Sequence, residues 1–309
     1  MPKHCILIGA PVETGASQAG CIMGPASYRT AGLGRMLESL GHTVEDRGDI
    51  SPRAVTLPEG VFANTHHPEA MIGWTQALAD AAEKAAAEGF PIFMGGDHSL
   101  AAGTVSGIAR HAAKIDRPQF VLWLDAHPDL HSPDTTSSGN LHGVPVAYFT
   151  GYPGFDPHFP PVTAPVPTAN ICMMGIRSVD PAENQRLAQS EIDVNDMRAI
   201  DEFGVASLLK DFLERVEAAK GVLHVSLDVD FLEPTIAPAV GTTVPGGATF
   251  REAHLIMEML CDSGLVTSLD LVELNPFLDE RGRTAQLMVD LTAGLLGKKV
   301  LDRPTRRFS

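Results

Sequence analysis

The sequence is poor in what would tie it to an oxidising compartment, a nucleic acid or a membrane. Its 309 residues include only four cysteines, Cys5, Cys21, Cys172 and Cys261, and no C-x-x-C pair. A disulfide scaffold is therefore not expected, and the apolar runs around Cys5, Cys172 and Cys261 read as buried free thiols in a reducing compartment. Basic residues are scarce, with 23 Lys and Arg against 38 Asp and Glu and a net charge of −15. That argues against a basic surface for nucleic acid or anionic lipid and mildly favours a cationic substrate. No apolar run approaches the roughly 18 residues of a membrane helix. The N-terminal MPKHCILIGAPVE lacks the length and cleavage pattern of a signal peptide, so a cytoplasmic protein is expected. There is no internal repeat and no convincing linker, so residues 1–309 read as one domain. The 44% hydrophobic content is ample for its core.

Short apolar runs alternate with longer amphipathic ones. The runs Cys5–Ile8, Thr43–Asp46, Ile92–Met94, Phe120–Leu124, Ile171–Ile176, Val222–Asp228 and Ser268–Leu274 read as strands. Pro25–Leu40, Glu69–Glu88, Leu100–Ala113, Val205–Ala219, Phe250–Cys261 and Arg283–Leu296 read as helices, the first two closed by Gly41 and Gly89. Such alternation predicts an α/β fold with a parallel sheet covered on both faces. The Pro-rich Gly151–Pro167 reads as an inserted loop, and Arg303–Ser309 as an interface tail or a frayed end.

In open parallel sheets, functional groups gather beyond the carboxyl ends of strands. Four polar clusters fall there: GGDHS (Gly95–Ser99), DAHPD (Asp125–Asp129), DVD (Asp228–Asp230) and ELNP (Glu273–Pro276). In an extended segment, residues two apart face the same way, so Asp125, His127 and Asp129 are expected to project together, as are Asp228 and Asp230. Four carboxylates converging with His98 and His127 in a low-dielectric rim need a compensating cation. The set is rich in oxygen, mixed with nitrogen and free of thiolate, which suits Mn²⁺, and less well Zn²⁺, Ni²⁺ or Co²⁺. It is also more than one ion needs. Two ions roughly 3.5–4 Å apart, sharing Asp125 and Asp228, would use all six ligands and lower the pKa of a bridging water from about 15.7 toward neutrality. A lone D-x-D is usually a solvated turn, but three clusters on one rim are harder to explain that way. His142, in SGNLHG (Ser138–Gly143), is a candidate proton shuttle or a backbone-bonded loop histidine. Glu273 needs a partner, either a cationic substrate or an internal base such as Arg281 or Arg283. GTVSG (Gly103–Gly107) does not match the nucleophile pattern G-x-S-x-G.

Taken together, GCIMGP (Gly20–Pro25), GGDHS, DAHPD, SGNLHG, VDPAE, SLDVDFLEP, GTTVPGG and LVELNP resemble the ureohydrolases, and within them the arginase family, in the family's order over most of the chain. The resemblance implies a three-layer α/β/α fold with a central, mostly parallel sheet. It implies a homo-oligomer, trimer or hexamer, and hydrolysis of L-arginine to L-ornithine and urea at two Mn²⁺ ions by a metal-bridging hydroxide. One ion would be held by His98, Asp125, Asp129 and Asp228, the other by His127, Asp125, Asp228 and Asp230. His142, Glu273, Asp129 and Thr242 would serve catalysis, with His142 passing protons to the leaving amine, Glu273 pairing with the guanidinium and Thr242 near the nucleophile. Thr136, Ser138 and Asn140 would read the substrate α-carboxylate, and Asp180 and Glu183 the α-amino group. His131 departs from the pattern. Arginases commonly carry Asn there to help bind the α-carboxylate, and an imidazole can still donate one hydrogen bond or admit another guanidino compound.

Two rivals remain. An agmatinase or guanidino-acid hydrolase of the same family is the nearer, although agmatine has no carboxylate to occupy the SGNLHG loop. A dinuclear phosphoesterase would need adjacent Asn and His, which Leu141 separates here. A non-catalytic relative would be expected to have lost a ligand or the shuttle.

Overall fold

A computed structural model describes residues 2–299. Arg303–Ser309, read above as a tail, lies outside them. Among the described residues, eight strands form one sheet: β1 (His4–Ala10), β2 (Thr43–Asp49), β3 (Phe90–Gly95), β4 (Gln119–Leu124), β5 (Ile171–Ile176), β6 (Asp193–Asp196), β7 (Val222–Asp228) and β8 (Val266–Val272). Their order is β2-β1-β3-β8-β7-β4-β5-β6, and every pairing is parallel. β3, β4 and β7 are buried at every position, which is why they appear in the sequence as unbroken apolar runs. The helices that cover the sheet are α1 (Gly24–Thr30), α2 (Leu33–Ser39), α3 (Pro68–Glu88), α4 (Ala101–Lys114), α5 (Pro145–Phe149), α6 (Pro181–Leu187), α7 (Met197–Phe203), α8 (Val205–Ala218), α9 (Phe250–Ser263) and α10 (Arg283–Leu295).

The pleat sorts the core into two layers. Leu7, Ile92, Leu122, Met174 and Val225 face α1, α2, α8, α9 and α10. Ile6, Ile8, Phe93, Val121, Trp123 and Met173 face α3, α4 and α5. Each fully buried aliphatic side chain contributes roughly 1.5–3 kcal/mol, so these layers hold the rim rigid. The GTVSG run now has a structural reason. A Cβ on Gly107 would lie 2.2 Å from the Ala79 carbonyl oxygen, and one on Gly103 2.7 Å from Leu78 Cβ, so the two glycines let α4 close on α3.

Three expectations are corrected. Pro25–Leu40 is two helices, because Gly32 takes a left-handed φ of 88° between them. β6, α5, α6 and α7 were not foreseen; all are short, and β6 is a polar edge strand. The cysteines are free, but Cys261 is only half-buried.

The four strands whose ends carry polar clusters, β3, β8, β7 and β4, are consecutive neighbours in the sheet. The fold therefore gathers four distant sequence segments on one short stretch of rim.

Candidate metal centre and active site

Each cluster is held by its own backbone. After β3, the Asp97 carboxylate caps the 3-10 turn His98–Leu100, accepting the Ser99 N–H at 3.0 Å and the Gly15 N–H at 2.8 Å. The His98 ring stacks on Trp123 at 4.0 Å between centroids, and its Nε2 meets Ser226 Oγ at 2.8 Å. That contact leaves Nδ1 free to act as a ligand.

After β4 the chain bends. The His127 N–H donates to Asp125 Oδ1 at 2.6 Å, and Asp129 takes a left-handed φ of 47°. After β7, Asp228 Oδ1 accepts the Asp230 N–H at 2.7 Å and caps the 3-10 turn Val229–Phe231. The expected same-side projection through strand alternation is thus replaced by capped turns. Asp side chains that bond backbone two residues on compete with extended geometry, and here they prevail.

The side chains come together all the same. His98 Nδ1 lies 3.0 Å from Asp125 Oδ2, 3.2 Å from Asp129 Oδ2 and 3.0 Å from Asp228 Oδ2. His127 Nδ1 lies 2.9 Å from Asp230 Oδ2 and 3.5 Å from Asp125 Oδ1. Asp125 therefore turns one oxygen toward each imidazole. His98 Nδ1 and Asp125 Oδ2 are close, yet neither has a hydrogen-bond partner. Lone pairs aimed at a common third point produce that arrangement. Two ligand groups result, His98 with Asp125 and Asp228, and His127 with Asp125 and Asp230. Their donors fit hard divalent cations.

The electrostatics say the same. Burial holds the Asp228, Asp129 and Asp230 carboxyls above the ordinary range, and neighbouring carboxylates add to the effect. Burial would neutralise His98, but Asp125 and Asp129 outweigh it and raise the ring to about 9. Asp125 and Asp230 likewise raise His127 to about 12 against its burial. Protons here occupy positions that suit cations.

Beside the cluster lies a second pair. Glu273 sits one residue past β8 with a φ of 61°, rather than inside the strand as expected. Its Oε1 accepts from the His98 N–H at 2.8 Å and faces His142 Nδ1 at 2.9 Å. Burial acts against both charged forms, yet their mutual attraction holds the carboxyl low and the imidazole high. Neither proposed internal base reaches Glu273: Arg283 pairs with Glu280 at 3.4 Å, and Arg281 makes no ion pair among the described residues. Among the described residues, Oε2 faces only the Cys21 thiol, at 3.8 Å, which burial keeps protonated.

The remaining predicted residues form the surroundings. Thr136 Oγ1 and Ser138 Oγ are 3.3 Å apart on the loop before the His142 turn, and Asn140 donates its N–H to Ser138 at 3.2 Å. Thr242 is exposed on a loop tied back by Arg177, which donates to the Val244 carbonyl at 2.7 Å and the Asp230 carbonyl at 2.6 Å. His131, Asp180 and Glu183 make a separate cluster around the N-terminus of α6. Asp97, Trp123, Ser226 and Cys21 were not singled out from the sequence. Asp97 is a helix-cap residue beside His98, and Ser226 precedes Asp228 by two on the same strand face, so those two had a signal.

The rim of this parallel α/β sheet carries a shared-carboxylate cluster whose donors could hold divalent cations, beside an imidazole–carboxylate pair. Residues 3–297 match the Arginase family. The arginase of Brucella melitensis biotype 1 is 63% identical over 303 residues, covering 98% of this chain and 99% of that protein. The native structure of the Bacillus caldovelox arginase superposes with a TM-score of 0.88 at 34% identity, covering 97% of this chain and all of that one. An Entamoeba histolytica arginase solved in complex with L-ornithine gives 0.83 at 25% identity, over 96% of this chain and 99% of that one. The chain belongs to the arginase family of hydrolases.

Proposed function

We propose that the chain cleaves the guanidinium group of L-arginine to L-ornithine and urea. In this reading one Mn²⁺ is held by His98, Asp125, Asp129 and Asp228, and a second by His127, Asp125, Asp228 and Asp230. The observation that carries it is Asp125, whose two oxygens face two imidazoles, with His98 Nδ1 and Asp125 Oδ2 otherwise unpartnered. The ornithine complex of the Entamoeba arginase supports the product. Two divalent cations held by these residues would supply Lewis acidity and would lower the pKa of coordinated water.

The chain's own residues do the rest. Guanidinium is a resonance-stabilised, poor electrophile and leaves as an amine, so it needs orientation and a proton. Glu273 Oε1 is occupied by His98 and His142, which leaves Oε2 to pair with the guanidinium cation. Glu273 raises the pKa of His142 and so favours the protonated ring, which could pass a proton to the leaving amine. By the family resemblance, Asp129 and Thr242 would border the attacking water. Thr136, Ser138 and Asn140 offer hydroxyl and amide donors to the α-carboxylate, and Asp180 offers a carboxylate to the α-ammonium. Glu183 is less available, since both its oxygens accept backbone N–H groups, from Leu130 at 3.0 Å and Asp180 at 3.1 Å.

The test is urea release from L-arginine, agmatine and 4-guanidinobutyrate, with Mn²⁺ present and with it chelated, alongside metal analysis. Arginine should be preferred, activity should vanish on chelation, and active protein should hold about two Mn²⁺ per chain. No release from arginine with release from another compound would overturn the substrate. Full activity with one ion or none would overturn the two-metal reading. Agmatine stays a second reading because His131, in place of Asn, has no ring nitrogen left for a carboxylate.

A further inference from the structure

We propose that His131 is a positioning residue for the substrate's α-ammonium end, acting through Asp180, and that it does not read the α-carboxylate. The inference rests on the arginine reading above. The side chain is nearly buried, and both of its nitrogens have partners. Nδ1 faces Thr135 Oγ1 at 3.2 Å, while Nε2 faces Asp180 Oδ2 at 3.2 Å and Glu183 Oε2 at 3.7 Å. Thr135 Oγ1 accepts the Ser132 N–H at 3.0 Å and stands 3.3 Å from the Ser132 carbonyl, so its proton is shared between that carbonyl and Nδ1. The consistent tautomer places the ring proton on Nε2, donating to Asp180. Nothing remains to donate to a substrate carboxylate.

What the ring holds is the only open carboxylate of the cluster. The Asp180 side chain is 56% exposed and that of Glu183 only 6%. Without His131, Asp180 keeps its helix-capping contact with the Glu183 N–H but loses the bond that holds Oδ2 in place. Its support is firm. Arg186 donates to the Leu130 carbonyl at 2.7 Å and to Ser132 Oγ, and lies over the Tyr152 ring. The His131 N–H bonds to the Gly143 carbonyl at 3.0 Å, one residue past His142, so the cluster is fixed to the proposed proton shuttle. A carboxylate held by two N–H groups, those of the Glu183 backbone and the His131 ring, still keeps lone pairs for an ammonium group. Where arginases commonly carry a carboxylate donor, this chain therefore reinforces selection of the amine.

Two arginine relatives separate the possibilities. Agmatine keeps the amine and lacks the carboxylate; 5-guanidinopentanoate keeps the carboxylate and lacks the amine. Each is offered to Mn²⁺-loaded wild type, His131→Ala and His131→Gln, as a substrate or, where turnover is nil, as a competitor of L-arginine. In His131→Ala, KM or Ki for L-arginine and agmatine should rise roughly tenfold, the scale of one hydrogen bond, with kcat within about threefold and 5-guanidinopentanoate unchanged. His131→Gln, which restores an N–H donor, should recover most of the loss. Weakened 5-guanidinopentanoate with agmatine unaffected would show that His131 reads the carboxylate and would overturn the proposal. Equal loss for all three ligands, or a loss carried by kcat, would make the residue merely structural and overturn it as well. Wild type that releases no urea from L-arginine would defeat the substrate reading and this inference with it. Wild-type activity with the wrong variant pattern defeats this inference alone.

Discussion

The ligand cluster predicts that chelated protein loses stability at alkaline pH in a way that cation-loaded protein does not. In the chelated protein, His98 is raised from 6.5 to about 9 by Asp125 and Asp129, which outweigh its burial. A folded-state pKa above the unfolded value stabilises fully below pH 6.5 and is lost as pH climbs through about 9. A shift of that size corresponds to about 3 kcal/mol. His127, raised for the same reason, slopes the same way across the window. Asp125, held low by the two imidazoles, is fully ionised in both states there and adds no slope. At roughly 2 cal/mol/K of unfolding entropy per residue, 309 residues convert 3 kcal/mol into about 5 °C. Divalent cations remove the effect, because both imidazoles must be neutral to ligate. Calorimetric unfolding from pH 6.5 to 9, with chelator and with excess Mn²⁺, should give curves that diverge by at least about 5 °C as pH rises, since the raised Asp129, Asp228 and Asp230 carboxyls act in the same direction and groups outside the cluster are common to both. Parallel curves would refute the reasoning, and so would chelated protein that gains stability relative to loaded protein.

The other predictions concern the neighbouring pair and the rim. Replacing His142 by Ala should cost about 10²–10⁴ in kcat while leaving cation content unchanged, and near-wild-type turnover would remove it from the reaction. Glu273→Gln should lower the pKa of His142, whose rise Glu273 causes, so the alkaline limb of any residual activity should move to lower pH. A limb that stays in place would show that the pair does not set it. Gly96→Ala would put a Cβ 1.7 Å from the Val12 carbonyl oxygen, two residues before His98. It should destabilise by about 3 kcal/mol and weaken cation binding together, as read by thermal unfolding and metal titration.

Much of the architecture was legible because its strands are buried on both faces. Phe120–Leu124 and Val222–Leu227 need no alternation to be recognised. β6, whose sequence is Asp193-Val-Asn-Asp196, lies at the sheet edge, and its exposed positions look like a loop. The break at Gly32 was hidden because the apolar period continues through both halves, while one left-handed residue changes the helix direction. The ligands were legible for a different reason. Asp and His immediately beyond an apolar strand have few stable roles other than caps and ligands, and here Asp97 and Asp228 are both near the metal cluster and caps.

What the sequence could not carry was the saturation of each polar atom. His131 keeps the alternation of Asp125, His127 and Asp129, and from spacing alone its ring nitrogens are free for substrate. Only its neighbours at the start of α6, 49 and 52 positions along the chain, show that one nitrogen is turned to Asp180 and Glu183. The same holds for Glu183, whose acidity suggests a ligand for an amine but whose oxygens accept backbone amides. Strand ends fix the metal chemistry rigidly, since moving any of the four would disturb a packed core. The substrate's far end is met instead by loop and helix-terminal residues, where one imidazole can redirect a carboxylate without moving a strand. Change of substrate in such a site should therefore come from positions like His131 before it comes from Asp125 or His98.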